Sequence, residues 1–191
     1  MFSSEKRVLV RNDLFNPGSG LCRGRNRVIE ILWIVVRAFF FMGNLPWPSC
    51  FKAFLLRLFG AKVGVGFYIR PRVNIHFPWK FKAGDYCWIG DDCGLLNLEP
   101  ITLGNHVAIA HRVYLATGNH DFTDHTMPYR NAPILIEDGV WVASCAFIGP
   151  GVTLGSHCVI GAGSVVTKSV EPWMIIRGNP MQIAGKRVLK K

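Results

Sequence analysis

From Ile136 onward the chain places an aliphatic residue at every sixth position: Ile136, Val142, Ile148, Leu154, Ile160 and Val166. The fifth position of each hexad is Val140, Ala146, Val152, Cys158 or Ser164, compact enough for a tight interior. Six residues advance an α-helix by about 1.7 turns, so no helical face collects this period. A short strand followed by a corner does collect it. Three such units close one triangular coil, and stacked coils bury one another. The pattern predicts an all-β solenoid, a parallel β-helix.

The beat extends upstream with interruptions. Val63, Ile69 and Ile75 keep it, as do Ala83, Ile89 and Leu95, then Leu103, Ile109 and Leu115. Steps of eight separate Ile75 from Ala83 and Leu95 from Leu103, so a corner there holds two extra residues. The step from Leu115 to Ile136 is 21, which predicts that residues 121–135 leave the coil as a loop. A loop on a rigid scaffold is where specificity usually resides. The solenoid is therefore expected over residues 61–170, followed by a basic tail at 171–191.

Residues 1–60 differ in kind. Residues 1–27 are polar and basic, with Pro17, Gly18 and Gly20, and read as irregular. A helix is predicted from Val28 to Met42, too short to span a bilayer, which takes about 20 residues. Glu30 and Arg37, seven apart, put a narrow polar stripe on it. A second helix is expected from Ser49 as N-cap, through Phe51, Phe54, Leu55, Leu58 and Phe59, to Gly60 as stop. No signal-peptide layout precedes them. Two readings stay open: packing on the solenoid or a neighbouring subunit, or contact with the inner membrane surface, which the net charge of +10 favours.

The 20 glycines suit many tight corners. Of the six cysteines, Cys87, Cys93 and Cys158 fall at fifth positions, which fits small core residues of a reduced cytoplasmic protein better than disulfides. No CxxC pair appears. The basic residues are scattered without a nucleic-acid-binding motif, so no nucleic-acid partner is expected.

The hexads, together with FLLRLFGAKVG at 54–64, IRP at 69–71, GDYCWIGDD at 84–92, TGNHD at 117–121, GAGSVVTKS and RGNP at 177–180, resemble the hexapeptide-repeat acyltransferases. The likeness is nearest to the colanic acid and exopolysaccharide O-acetyltransferases and runs from about residue 20 to 183. It implies a left-handed β-helix and transfer of acetyl from acetyl-CoA, with no metal, to a sugar or lipid-linked saccharide. It also implies a homotrimer whose sites lie between chains. Removing a proton from a sugar hydroxyl calls for a base such as histidine. His120 closes the last hexad before the loop, and the resemblance points to the same residue. Register stacks Ser144 on Ala162, and the resemblance puts both along the pantetheine arm. Thr167 and Lys168 match residues at the nucleotide end of CoA. Where better-known sugar acetyltransferases have a further arginine this chain has Gln182, leaving Arg177, Lys186 or Arg187 to substitute.

Asn97 and Glu99 lie about one coil below His120 and are candidates to orient it or hold the sugar; Asp91 sits one face away. Met127, Tyr129 and Arg130 of the loop are candidates for a sugar platform. The family's acceptor-binding Asn is replaced by Gly90, so acceptor identity does not carry over. A γ-type carbonic anhydrase on the same fold would need three histidines on zinc, and no third ligand accompanies His120 and His125. A trimeric scaffold without activity is the non-enzymatic alternative. Acetyl-CoA turnover or bound zinc separates the three.

Overall fold

A computed structural model describes residues 9–190; residues 1–8, part of the stretch expected to be irregular, and Lys191 lie outside the described residues. The hexads form three parallel sheets, the faces of a left-handed triangular β-helix. Sheet 1 contains Lys62–Val63, Phe81–Ala83, Ile101–Leu103, Ile134–Ile136 and Thr153–Leu154. Sheet 2 contains Tyr68–Ile69, Trp88–Ile89, Ala108–Ile109, Trp141–Val142 and Val159–Ile160, extended by Met174–Arg177 and Gln182–Lys186. Sheet 3 contains Asn74–Ile75, Gly94–Leu96, Tyr114–Ala116, Phe147–Ile148 and Val165–Val166. Each coil therefore turns three corners: 1→2, 2→3 and 3→1.

The first and fifth hexad positions point inward as the pattern requires. From Ile136 to Val166 every one of them is at most 1% exposed. Cys93 and Cys158 share this interior, and burial raises their thiols to about 11 and about 12, so both stay protonated. All six cysteines are free.

Corners are held by side chains that satisfy the backbone of the coil next to them. At the 1→2 corner, Asp85 Oδ1 accepts from Val65 N, Asn105 Oδ1 from Asp85 N, and Asp138 Oδ1 from Asn105 N, at 2.7–2.9 Å. Gly84 permits this approach: a Cβ there would stand 2.7 Å from the Gly104 carbonyl oxygen.

Both two-residue extensions fall at the 3→1 corner, and so does the long loop. Within the first, Pro78–Lys80 form a short 3-10 turn. Extra chain is thus gathered along one edge of the prism. Residues expected as a basic tail fold back: Met174–Arg177 pairs in parallel with Val159–Ile160, and Gln182–Lys186 pairs antiparallel with it. Ile175 and Ile176 supply the apolar strand that a charge-based reading overlooks.

Two helices, α1 (Arg27–Phe40) and α2 (Ser49–Leu58), close the N-terminal end. Asn26 caps α1 by accepting from Ile29 N. Ser49 does not cap α2; its hydroxyl bonds both the N–H and the C=O of Ile69 and ties the helix to sheet 2. Trp33, Phe41 and Leu56 are fully buried in the same core as Ile69 and Ile75, and the Trp33 indole donates to the Ile75 carbonyl. Gly60, at φ +93°, ends α2.

Substituting Gly84 by Ala is expected to destabilise the fold by about 1–3 kcal/mol, because the new methyl meets the Gly104 backbone as well as the Asn105 side-chain oxygen that bonds Asp85 N. Gly149→Ala, whose Cβ would find its nearest neighbour at 3.4 Å, should change stability far less. Denaturant unfolding of both variants checks the difference.

Candidate active site

The loop at the 3→1 corner is built rather than loose. Asn131 Oδ1 accepts from Asn119 N, and Asn119 Oδ1 accepts from His120 N. Arg130 N donates to Asn119 O and Asp121 N to Pro128 O, so the loop returns on itself and His120 bridges Tyr129. Asp121 and Asp124 cap their own turns through Thr123 and Thr126. The chain rejoins the coil where Ala132 N meets Thr117 O.

His120 sits half-exposed at the root of this loop. Its Nδ1 lies 2.6 Å from the Met127 carbonyl oxygen. A carbonyl only accepts, so Nδ1 holds a proton, and in the neutral ring Nε2 is the nitrogen with the lone pair. That tautomer is the one a general base needs. The ring packs against Phe15 (centroids 5.2 Å apart) and Tyr129 (5.0 Å), which also touch each other. Phe15 comes from the N-terminal segment, which also meets the loop through Arg11 N donating to His125 O. Nothing in the sequence singled out Phe15, because one aromatic in a polar stretch has no period to betray it. Met127 gives the site its carbonyl and Tyr129 its ring, while Arg130 and His125 are exposed on the loop.

Asn97 belongs to the same corner but turns inward. It is fully buried, and its amide takes both the N–H and the C=O of Phe77. Buried there, it is not presented to His120 or to a sugar. Its apparent proximity followed from register, which fixes the coil but not the direction of a corner side chain. Glu99 is half-buried one coil below Asn119, its N–H held by Thr117 Oγ1.

Other candidates line the 2→3 corner, across sheet 3 from His120. Here Arg70, Asp91, His111, Ser144 and Cys145 border an open cleft of about 690 Å³. Asp91 Oδ2 lies 3.0 Å from Arg70 Nε and 2.9 Å from His111 Nδ1. Burial raises the Asp91 carboxyl, but the Arg70 hydrogen bond and charge outweigh it and hold the pKa below its ordinary value. Ser144 and Ala162 do stack on one corner, with Gly163 N donating to Ser144 O. Arg177, exposed at the end of its strand, lies against Gly161 on the final turn of this edge.

Thr167 and Lys168 return to the 3→1 corner, two coils above His120. They border a cleft of about 550 Å³ with Val165, Asn179, Met181 and Ile183. An apolar wall with a cation at its mouth fits a thin acyl-carrying arm that ends in phosphates. Arg187 is occupied elsewhere, since its guanidinium donates to Gly139 O and His157 O. Gln182 pairs across the hairpin with Arg177. Among the described residues, no three His, Cys, Asp or Glu side chains converge to hold a metal.

The bacterial transferase hexapeptide family (six repeats) matches residues 133–168. A protein named as a colanic acid biosynthesis acetyltransferase (WcaF) in Escherichia coli is 43% identical over 166 residues, 87% of this chain and 91% of its own length. The galactoside O-acetyltransferase of E. coli is 35% identical over 139 residues, 68% of this chain and 65% of its own. Among solved structures, a hexapeptide-repeat acetyltransferase from Vibrio cholerae superposes with a TM-score of 0.76 at 26% identity, covering 83% of this chain and 90% of its own. Its complex with acetyl coenzyme A superposes at 0.68 and 25% identity, over 83% and 87% of the two chains. By repeat, fold and sequence alike, this chain belongs to the hexapeptide-repeat acetyltransferases.

Proposed function

We propose that the protein transfers acetyl from acetyl-CoA to a hydroxyl of a sugar, with His120 as general base. The observation supporting this most directly is the 2.6 Å contact from His120 Nδ1 to the Met127 carbonyl, which leaves Nε2 free to accept a proton. The sugar hydroxyl gives its proton to Nε2 as its oxygen attacks the thioester carbonyl. The resulting oxyanion collapses, the C–S bond breaks, and the departing sulfur takes the proton from the imidazolium. No cysteine or serine is hydrogen-bonded to His120 among the described residues, which favours direct transfer over an acyl-enzyme.

Lys168 and Thr167 would receive the phosphate end of the donor, with Arg177 on the adjoining corner, while Ser144 and Ala162 would line its arm. Names of relatives point to acceptors: colanic acid biosynthesis in one case, galactosides in another. A surface polysaccharide or its precursor, modified where cytoplasmic acetyl-CoA is available, fits both. Glu99 and Asp91 remain candidates for the acceptor.

In one chain His120 and the Ser144–Ala162 ladder occupy different corners, with sheet 3 between them. A closed ring of three copies would bring one chain's 3→1 corner against the next chain's 2→3 corner and complete the site.

His120→Ala is expected to lower kcat by about 10²–10⁴, with acetyl-CoA binding retained, as read by thiol release and calorimetry. Lys168→Ala should raise the KM for acetyl-CoA by about tenfold and leave kcat nearly unchanged, as loss of one phosphate contact implies. Light scattering should give three times the 21.4 kDa chain mass.

A further inference from the structure

Helix α1 is built inside out. Beyond Arg27 in its first turn, its polar residues face the protein: Glu30 is ion-paired with Arg23 at 2.5 Å, and Arg37 is half-buried. Its outward face is Val28, Ile31, Leu32, Ile34, Val35 and Phe39, between 46% and 70% exposed. Only Ala38 interrupts them, so no polar side chain breaks the face from Val28 to Phe39. Phe54 and Leu58 present a second exposed apolar pair on α2, and the two helices touch through Phe40 and Phe51. A solenoid cap normally turns a polar surface outward, since that is what ends the stacking. Among the described residues nothing covers this one. An apolar surface of this extent marks a contact with another apolar phase.

Charge identifies the phase. Residues 14–84, which form the cap and first coil, hold eleven of the 22 Lys and Arg but only Glu30 of the 12 acidic residues. This segment therefore accounts for the whole net charge of +10, and the remaining residues balance to zero. Arg25, Arg27, Arg57 and Lys62 are exposed. Two copies meeting cap to cap would bring like charges together. A bilayer rich in anionic lipid offers both an apolar layer and the opposite charge.

We infer that the capped end of the solenoid is a membrane-binding surface. The outer face of α1 lies at the level of the acyl chains, parallel to the bilayer, and the basic residues around it meet lipid phosphates. Neither helix is long and apolar enough to cross a membrane, so the contact is peripheral. The loop between the helices leads from this surface to the 2→3 cleft: Trp47 packs on Phe40 and Phe51, and Asn44 accepts from Arg72 at the cleft edge. The inference is independent of acetyl transfer, so its failure would leave that reading intact.

The test is co-sedimentation with vesicles of phosphatidylcholine containing phosphatidylglycerol, against phosphatidylcholine alone, with a vesicle-free control. The native chain should pellet with the anionic vesicles, and less so as salt is raised. The double substitution Val35→Glu, Phe39→Glu should weaken partitioning by about tenfold or more, with unchanged melting temperature and unchanged acetyl-CoA turnover. Equal partitioning of the two proteins would overturn the proposal. So would a native chain that stays in the supernatant, or one that binds no lipid but forms a larger assembly than the double variant.

Discussion

The distance between coils governs this molecule. Neighbouring strands lie about 4.8 Å apart, so a coil residue rests on the one 18 or 20 places away in the adjacent coil, or 33 away where the long loop intervenes. Inside, that spacing admits one aliphatic and one compact side chain per hexad. At the 1→2 corner it brings backbone so close that Gly84 has no room for a methyl group. A chain under this constraint cannot vary its interior or its faces. It can only add residues at corners, and here the additions lie on one edge. The loop with His120 is the largest of them.

That loop is useful because it is rigid where it meets the coil. Asn119 and Asn131 fix its root, and the Met127 carbonyl fixes the imidazole. A free histidine on a corner would exchange tautomers and rotate. Held by a main-chain acceptor and two aromatic rings, His120 presents one nitrogen in one direction, which is the geometric half of the proposed base catalysis. The other half, a place for the acyl donor, would on the proposed reading be divided between two edges of the prism, which would leave a single chain an incomplete site.

The fold was legible because its repeat is strict: the same six-residue phase that orders Ile136 to Val166 buries each of those residues in the structure. The place of His120 at the root of the loop was legible because the phase breaks just after it. Side-chain direction at corners was not, and Asn97 shows why. Its position is fixed by register, yet whether its amide faces a sugar or the Phe77 backbone depends on the two-residue extension one coil below. Long-range partners escaped as well. Phe15 reaches the imidazole from over 100 residues away, and Ser49 links to Ile69 instead of capping its helix. The strands after residue 171 were hidden by their charge, which says nothing about the alternation beneath it.

The proposed chemistry rests on direct attack of the hydroxyl on the donor thioester, assisted by His120. Rapid-quench turnover with acetyl-labelled acetyl-CoA and an acceptor that supports thiol release tests this most directly. Direct transfer predicts that label passes from donor to sugar at the rate of thiol release, with no acetyl group on the protein at any time. Acetylated protein that forms and decays at rates matching turnover would contradict it.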